Sequence, residues 1–198
     1  VLILNEKLDV GSHMINITNP ATGEVSSNSA TIVERLLGNA NLVMDYCDGS
    51  KFKVRAYGDD GNPVGANEIV VMKIGKQTYN VKTDKNGWAS LSVTLVPKSY
   101  TITSEYKGFK VSNKITVKSV IKAKNLSKKK SKTVKYSVTL KNSKNKALKS
   151  KKVTFKFRGK TYSAKTNKKG VATVTLKNIK VRKFSIKITY IKHSVTKK

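Results

Sequence analysis

The chain is poor in the residues that build most catalytic and metal sites. It contains one cysteine, Cys47, and two histidines, His13 and His193, among 198 residues. A single cysteine excludes an intrachain disulfide framework, and these three ligands cannot complete a tetrahedral zinc site. A catalytic nucleophile needs a base and an orienting acid within hydrogen-bond reach, and neither histidine is part of such a set. We therefore predict no enzyme activity, no catalytic or metal-binding residue and no cofactor.

Long apolar stretches and negative charge are also scarce. No run of 18 apolar residues occurs, so no membrane span is predicted, and no signal-peptide pattern is visible. The chain does not begin with methionine, so we interpret it as a piece of a longer protein. Residues 121–198 contain no aspartate or glutamate but hold 27 of the 41 basic residues. The other 14 basic residues and all 11 acidic residues lie in 1–120, which gives formal charges of +3 there and +27 afterwards.

A β-hairpin pattern from Gly75 to Val93 is the clearest local signal in the chain. Tyr79 and Val81 alternate with polar residues, the turn residues 83–87 interrupt the alternation, and it resumes at Trp88. Period-two alternation on both sides of a turn that ends in Asn-Gly is typical of a β-hairpin.

The same hairpin pattern recurs from Gly159 to Leu176. Four residues match at a constant offset of 83. They are Tyr162, Lys165, Thr166 and Gly170, against Tyr79, Lys82, Thr83 and Gly87. Two copies of one hairpin indicate a tandem repeat. We predict two full repeats, 40–118 and 119–198, preceded by a remnant in 1–39.

The strand pattern within the repeats predicts the fold class. Seven short strands in about 80 residues, with turns at regular intervals, are typical of an immunoglobulin-like (Ig-like) sandwich. The predicted fold is all-β: tandem Ig-like β-sandwiches preceded by the terminal strands of a truncated repeat. Few residues follow Ile191, so we expect the second repeat to end early. The predicted core residues are Tyr79, Val81, Trp88, Leu91, Tyr100 and Ile102 in the first repeat, and Val153, Phe155, Tyr162, Val171, Val174 and Ile186 in the second.

Residues 1–39 have two alternative interpretations. Val10 to Ile17 resembles 97–104, and Thr31 to Val33 resembles 115–117, which places His13 where Tyr100 lies. On this interpretation the segment is the end of a preceding repeat. The alternative is that Gly11 to Met14 is a cloning scar. In both cases the piece lacks sheet partners and should expose unpaired strand edges.

Several turn motifs resemble those of a known group of repeats. Residues 44–52 (MDYCDGSKF) resemble the opening Met-Tyr-Tyr-Lys-Asn-Gly-Thr-Lys-Phe of Ig-like repeats in adhesin-like surface proteins of methanogenic archaea. Residues 60–64 match their Gly-Asn-Pro turn, and 83–87 their Thr-Asp-x-Asn-Gly turn. Residues 96–103 resemble their Pro-Gly-Thr-Tyr-Thr-Ile-Thr stretch, with Lys98 in place of glycine. The chain is similar in the same way to bacterial Ig-like, invasin-type domains.

The resemblance implies an extracellular, cell-surface protein with an adhesive role. Neighbouring Ig-like repeats of the full-length chain would be its partners, and 40–118 would be a spacer or stalk. The matching motifs are turns that support the fold, so they imply no particular ligand. Cys47 stands where these repeats commonly carry lysine, which removes one candidate for a Lys–Asn isopeptide cross-link.

Five aspartates raise calcium binding as an alternative. They are Asp45, Asp48, Asp59, Asp60 and Asp84. Their oxygens could hold an ion between repeats, but aspartate also stabilises turns through bonds to its own backbone. We favour the turn role, and both calcium and an isopeptide bond in the first full repeat stay open.

The polycationic segment predicts a polyanion partner. We assign the contact to Lys128, Lys129, Lys130, Lys151, Lys152, Arg158, Lys168, Lys169, Arg182 and Lys183. Because charge neutralisation needs no exact geometry, we predict electrostatic attachment to an anionic cell-envelope polymer or another cell-surface polyanion. The alternative is a nucleic-acid-binding module that uses 121–198. Such modules usually add aromatics or arginines, whereas 25 of the 27 basic residues here are lysine. Sequons at Asn16 and Asn125 predict N-glycosylation and agree with an exterior location.

Overall fold

The computed structural model describes residues 9–127, 131–179 and 184–198. In this part of the chain the regular structure consists of β-strands without helices, and so no helix there could cross a membrane. The strands are β1 (Gly11–Thr18), β2 (Val25–Ile32), β3 (Leu36–Leu37), β4 (Leu42–Asp45), β5 (Lys51–Ala56), β6 (Ile69–Ile74), β7 (Gln77–Lys82), β8 (Trp88–Ser92), β9 (Ser99–Tyr106), β10 (Phe109–Lys118), β11 (Ile121–Lys122), β12 (Ser131–Leu140), β13 (Lys152–Phe157), β14 (Lys160–Lys165), β15 (Val171–Ile179), β16 (Ile186–Tyr190) and β17 (His193–Lys197).

The second repeat folds into two sheets. One has the order β11-β12-β15 and the other β14-β13-β16-β17. The two sheets pack face to face. The ring of Tyr136 on β12, in one sheet, meets the ring of Phe155 on β13, in the other, edge-on with 6.3 Å between the ring centres. A sandwich of seven antiparallel strands with this division is Ig-like.

The first full repeat has the same strand order with one addition. Its sheets have the orders β3-β5-β8 and β4-β10-β9-β6-β7. The additional strand, β4, runs parallel to β10 and places Leu42 opposite Ile115. Equivalent backbone hydrogen bonds occur in both repeats, such as Ala56 N–H to Gly87 O at 2.9 Å and Leu140 N–H to Gly170 O at 2.8 Å. The predicted fold class, tandem Ig-like β-sandwiches, is confirmed.

The chain divides into two compact units that do not coincide with the predicted repeat boundaries. Unit 1 comprises Val1–Ala40, Lys51–Leu91 and Thr101–Asn113. Unit 2 comprises Asn41–Ser50, Ser92–Tyr100 and Lys114–Lys198. Unit 2 therefore contains the segment Asn41–Ser50, which the repeat spacing assigns to the first full repeat. The predicted domain boundaries stay a prediction.

The core follows the period-two alternation, but fewer of the predicted residues are fully buried than expected. Ile102, Val153, Phe155, Val174 and Ile186 are buried. The others are half-buried: Tyr79, Val81, Trp88, Leu91, Tyr100, Tyr162 and Val171. All of these except Tyr100 lie on β7, β8, β14 or β15, which are the outermost strands of their sheets. Since an edge strand has a neighbour on one side only, its inward side chains stay partly accessible.

Residues 11–32 of the 1–39 segment form a two-stranded sheet, whereas β3, which also lies in this segment, pairs with β5 of the first full repeat. β1 pairs with β2 along its whole length, and Gly11 lies opposite Ile32. The cross-strand hydroxyl pair of Ser12 and Thr31, at 3.1 Å, matches that of Ser99 and Thr116 on β9 and β10, at 3.4 Å. This match supports the interpretation as the terminal hairpin of a repeat, but it makes Thr31 equivalent to Thr116 and so shifts the predicted alignment of 31–33 with 115–117 by one residue. Large apolar side chains are exposed on the hairpin, with Met14 at 71%.

The expectation that the second repeat ends before its last strand was wrong. β17 pairs with β16 and places Val195 opposite Ile188. The turn between them has Ile191 at a positive φ of 56°, where the first repeat has Lys107 at 45°. A β-branched residue rarely adopts this conformation, so the sequence carried no turn signal before β17.

Candidate polyanion-binding surface

The four-stranded sheet of the second repeat separates apolar from basic side chains. Along β13, Val153, Phe155 and Phe157 are buried, whereas Lys152 and Lys156 are exposed. The same alternation along β16 buries Ile186 and Ile188 and exposes Lys187. Because residues i and i+2 of a strand share one side of the sheet, these lysines all lie on the outer side.

The strand register brings the exposed lysines into pairs. Lys156 lies directly opposite Lys187, and Lys152 lies directly opposite Lys165. Opposite Cβ atoms of adjacent strands are about 5 Å apart. Like charges at this spacing destabilise a sheet. None of these four lysines takes part in an ion pair with the described residues.

Hydroxyl side chains fill the rest of this surface. Thr154 lies opposite both Ser163 and Thr189, and Thr189 lies opposite Ser194, which makes a row across all four strands. Thr161 and Thr196 flank the Lys156–Lys187 pair. We name this surface the outer lysine face; it consists of Lys152, Lys156, Lys165, Lys187, Thr154, Thr161, Ser163, Thr189, Ser194 and Thr196.

The structure brings some of the predicted polyanion-binding residues together. Lys152 begins β13 and Lys151 precedes it, and Lys168 and Lys169 lie in the turn that follows β14. Thr166 connects the two segments: its buried hydroxyl accepts the Lys151 N–H at 2.9 Å. These four lysines are exposed at one end of the β13–β14 ribbon.

The remaining predicted residues do not join this group. Arg158 follows the opposite end of β13, about 20 Å along the extended strand. Its guanidinium lies 5.2 Å from the centre of the Phe184 ring. Lys128, Lys129, Lys130, Arg182 and Lys183 lie outside the described residues.

The other sheet of the second repeat also presents lysines and hydroxyls. On its outer side Lys135 lies opposite Thr175, and Thr133 lies opposite Lys177. The hydroxyls of Ser137 and Thr173 are 2.7 Å apart. Both outward surfaces therefore combine lysine with serine or threonine.

Sequence reasoning missed Lys156, Lys165 and Lys187. It favoured basic runs such as Lys151-Lys152 and Lys168-Lys169, whereas these three residues stand singly between uncharged neighbours. The alternation along β13 and β16 could have placed Lys156 and Lys187 on outward positions. Only the register shows that they are opposite each other.

The two histidines form hydrogen bonds with nearby serine or backbone groups, and the cysteine lies in an exposed turn. His193 Nε2 lies 3.0 Å from the Ser119 Oγ, and that hydroxyl also accepts the Ile121 N–H. Burial lowers the pKa of His193. His13 Nε2 bonds to the carbonyl of Asp9, and Cys47 is exposed in a turn with a φ of 62°.

The acidic turn residues bond to backbone N–H groups. Asp84 Oδ1 accepts from Asn86 and Trp88 at 2.9 and 3.0 Å, and these bonds lower the pKa of Asp84. A hydrogen bond from the Asn62 N–H lowers the pKa of Asp60 in the same way. The Asp59 carboxylate pairs with Arg35. Among the described residues no group of three carboxylate, histidine or cysteine side chains is placed to hold a metal ion.

Both sequon asparagines are exposed. Asn16 lies within β1, where its Oδ1 accepts a hydrogen bond from the Ser27 hydroxyl at 2.8 Å. Asn125 precedes β12, and its Oδ1 accepts from the Lys198 N–H at 3.1 Å. The predicted modification of these residues stays a prediction.

Comparisons with known proteins give structural matches only. No protein-family model and no curated protein matches the chain. A Ca2+-stabilised adhesin that helps an Antarctic bacterium to reach out and bind ice is 17% identical, with 93% of this chain and 54% of that chain covered and a TM-score of 0.26. Invasin, a bacterial integrin-binding protein, is 16% identical, with 82% and 37% covered and a TM-score of 0.37. The D0–D1 domain of intimin is 16% identical, with 80% and 95% covered and a TM-score of 0.31.

Proposed function

We propose that the chain is a piece of a non-catalytic, extracellular, adhesin-like protein at a cell surface. In this proposal the Ig-like repeats act as a stalk, and the lysine-rich repeat 119–198 attaches electrostatically to an anionic cell-envelope polymer. The supporting observation is that both outward surfaces of this repeat present lysine, serine and threonine, while 121–198 contains no carboxylate side chain. The resemblance of the turn motifs to those of archaeal adhesin-like repeats supports the location.

Contacts within unit 2 support the stalk role. The buried carboxylate of Asp45 accepts the Ser143 N–H at 3.0 Å and the Ser143 hydroxyl at 2.8 Å. The buried Tyr46 hydroxyl accepts the Lys192 N–H at 3.1 Å, and its ring meets that of Tyr190 edge-on. These bonds fix a segment assigned to the first full repeat onto residues of the second. Ser119 and Val120 alone separate β10 from β11, so no flexible linker lies between these strands.

The placement of aromatic side chains favours an envelope polymer over nucleic acid. Single-stranded nucleic acid is held by exposed aromatics on which bases stack. Among the described residues of the second repeat, Tyr136, Phe155, Phe157 and Tyr190 are buried, and Tyr162 and Phe184 are half-buried. A nucleic-acid-binding module that uses 121–198 is the alternative, and it would bind through phosphate charge alone.

A salt titration tests the proposal. The full chain is mixed with isolated cell-envelope polymer, or with duplex and single-stranded DNA, and the bound fraction is measured as salt is raised. We expect binding to envelope polymer to weaken with salt but to persist above the concentration that releases DNA. Envelope binding that does not change with salt would contradict electrostatic attachment. Release from envelope polymer and from DNA at the same salt concentration would show that the positive charge does not distinguish between polyanions.

A further inference from the structure

The two full repeats carry different charges at equivalent positions of the same sheet. In the first repeat Lys73 on β6 lies opposite Thr103 on β9. The Glu105 carboxylate, two residues further along β9, lies 3.6 Å from the Lys73 ammonium and 3.8 Å from that of Lys110. One acidic residue therefore forms an ion pair with a lysine on each of its sides.

The second repeat keeps the sheet but changes this arrangement. The register places Lys156 at the position of Lys73, Lys187 at that of Thr103, and Thr189 at that of Glu105. At the end of the same strand, Lys152 faces Lys165 where the first repeat has Ile69 facing Lys82. The carboxylate is thus replaced by a hydroxyl, lysines are added at the positions of Ile69 and Thr103, and Ser194 stands at the position of Lys110. Because two like-charged pairs lie directly across adjacent strands, an anion that bridges each pair would relieve their repulsion.

We propose that the outer lysine face binds an anionic polysaccharide. In this proposal, which rests on the proposed function, each of the pairs Lys156–Lys187 and Lys152–Lys165 holds an acidic group of the polymer. The hydroxyl row of Ser163, Thr154, Thr189 and Ser194 lies between the two pairs and meets the sugar hydroxyls. Lys152 and Lys156 are four residues apart on β13, so the two anion positions are about 13 Å apart along the strand.

The chemistry of the face favours a polysaccharide over other polyanions. Serine and threonine hydroxyls both donate and accept hydrogen bonds, as sugar hydroxyls do. The residues of the outer lysine face lie on strands rather than on a projecting helix that could enter a nucleic-acid groove, and none of them is aromatic. The hydroxyls of Thr189 and Ser194 lie 2.8 Å apart and bond to each other, and each keeps a lone pair that can accept a further bond from a sugar hydroxyl.

Paired substitutions with a matched control test the proposal. Lys156→Gln with Lys187→Gln removes two charges from the outer lysine face. Lys135→Gln with Lys177→Gln removes the same charge from the opposite sheet, where both lysines are also exposed. The full chain and both variants are titrated with alginate, a polyuronate, and with poly-glutamate and duplex DNA at fixed salt. Far-UV circular dichroism verifies that all three are folded.

The proposal predicts a clear difference between the two variants. Each lysine at an anionic surface contributes about five-fold in affinity, so the face variant should bind alginate about 25-fold more weakly. The control should lose less than about five-fold. Poly-glutamate should bind the unmodified chain more weakly than alginate does.

Equal losses in the two variants would overturn the proposal but leave the proposed function intact, because total charge would then decide binding. No binding of alginate or envelope polymer would contradict the proposed function itself, and preferential loss of DNA binding would identify a nucleic-acid site.

A second variant restores the carboxylate of the first repeat. Thr189→Glu places a carboxylate at the position of Glu105, beside Lys156 and Lys187. Since this substitution lowers the charge of the face by one unit, we expect alginate affinity to fall about five-fold without loss of fold, whereas Thr175→Glu, opposite Lys135 on the other sheet, should have a smaller effect. Equal effects of the two substitutions would overturn the assignment to the outer lysine face.

Discussion

The buried hydroxyl of Thr83 is expected to hold a surface loop of the first full repeat onto its hairpin. Its side chain donates to the Gly65 carbonyl at 2.7 Å and accepts the Glu68 N–H at 3.0 Å, and the residue is 5% exposed. Thr83→Val retains the shape of the side chain but removes both bonds. Unsatisfied buried polar groups cost about 1–3 kcal/mol each, but residues 65 and 68 are exposed, so water can partly replace the lost partner. We therefore expect a total loss of about 1–3 kcal/mol in the free energy of unfolding.

Two measurements test this expectation. Trp88 is the only tryptophan in the chain and follows the same turn, so its fluorescence during urea unfolding reports on this region. Amide hydrogen exchange at Glu68 reports on the bond itself. Thr83→Ser, which retains the hydroxyl, should keep the Glu68 amide protected and lose about 0.8 kcal/mol for one buried methyl group. A Thr83→Val variant within 0.5 kcal/mol of the unmodified chain, with the Glu68 amide still protected, would refute the reasoning.

Two further predictions concern the turns. Gly170→Ala should destabilise the chain by about 2 kcal/mol or more, because φ is +76° and an added Cβ would lie 2.5 Å from the Leu140 carbonyl oxygen. Gly159→Ala has the same φ but no atom within 4 Å, so it should lose less, and equal urea midpoints would disprove the steric argument. Backbone hydrogen bonds lower the pKa of Asp84 below 3.8, so its contribution to stability is present above that pH and is lost as the pH falls through the folded-state pKa. Asp84→Asn copies Asn167 of the second repeat and should flatten the loss of stability, monitored by Trp88 fluorescence, as the pH falls below 3.8. An unchanged loss would show that the attribution is wrong.

The hairpin illustrates how much of the fold could be predicted from local sequence. The matching residues at an offset of 83 identified the equivalent turns, and the structure places Thr83 and Thr166 in the same two hydrogen bonds. Local alternation could not identify edge strands, however. Tyr79 and Tyr162 were predicted to be core residues and are half-buried, because β7 and β14 have a neighbour on one side only.

The sequence alone determined the all-β class, the tandem repeat and the division of charge, because alternation, turn chemistry and composition are local properties of the chain. The tertiary structure decided which residues meet. Lys156 and Lys187 are 31 residues apart in the chain, and only the pairing of β13 with β16 places them opposite each other. Likewise, the bond between Asp45 and Ser143 joins residues 98 positions apart. Such contacts depend on strand register, and a shift by one residue would turn every side chain to the other face.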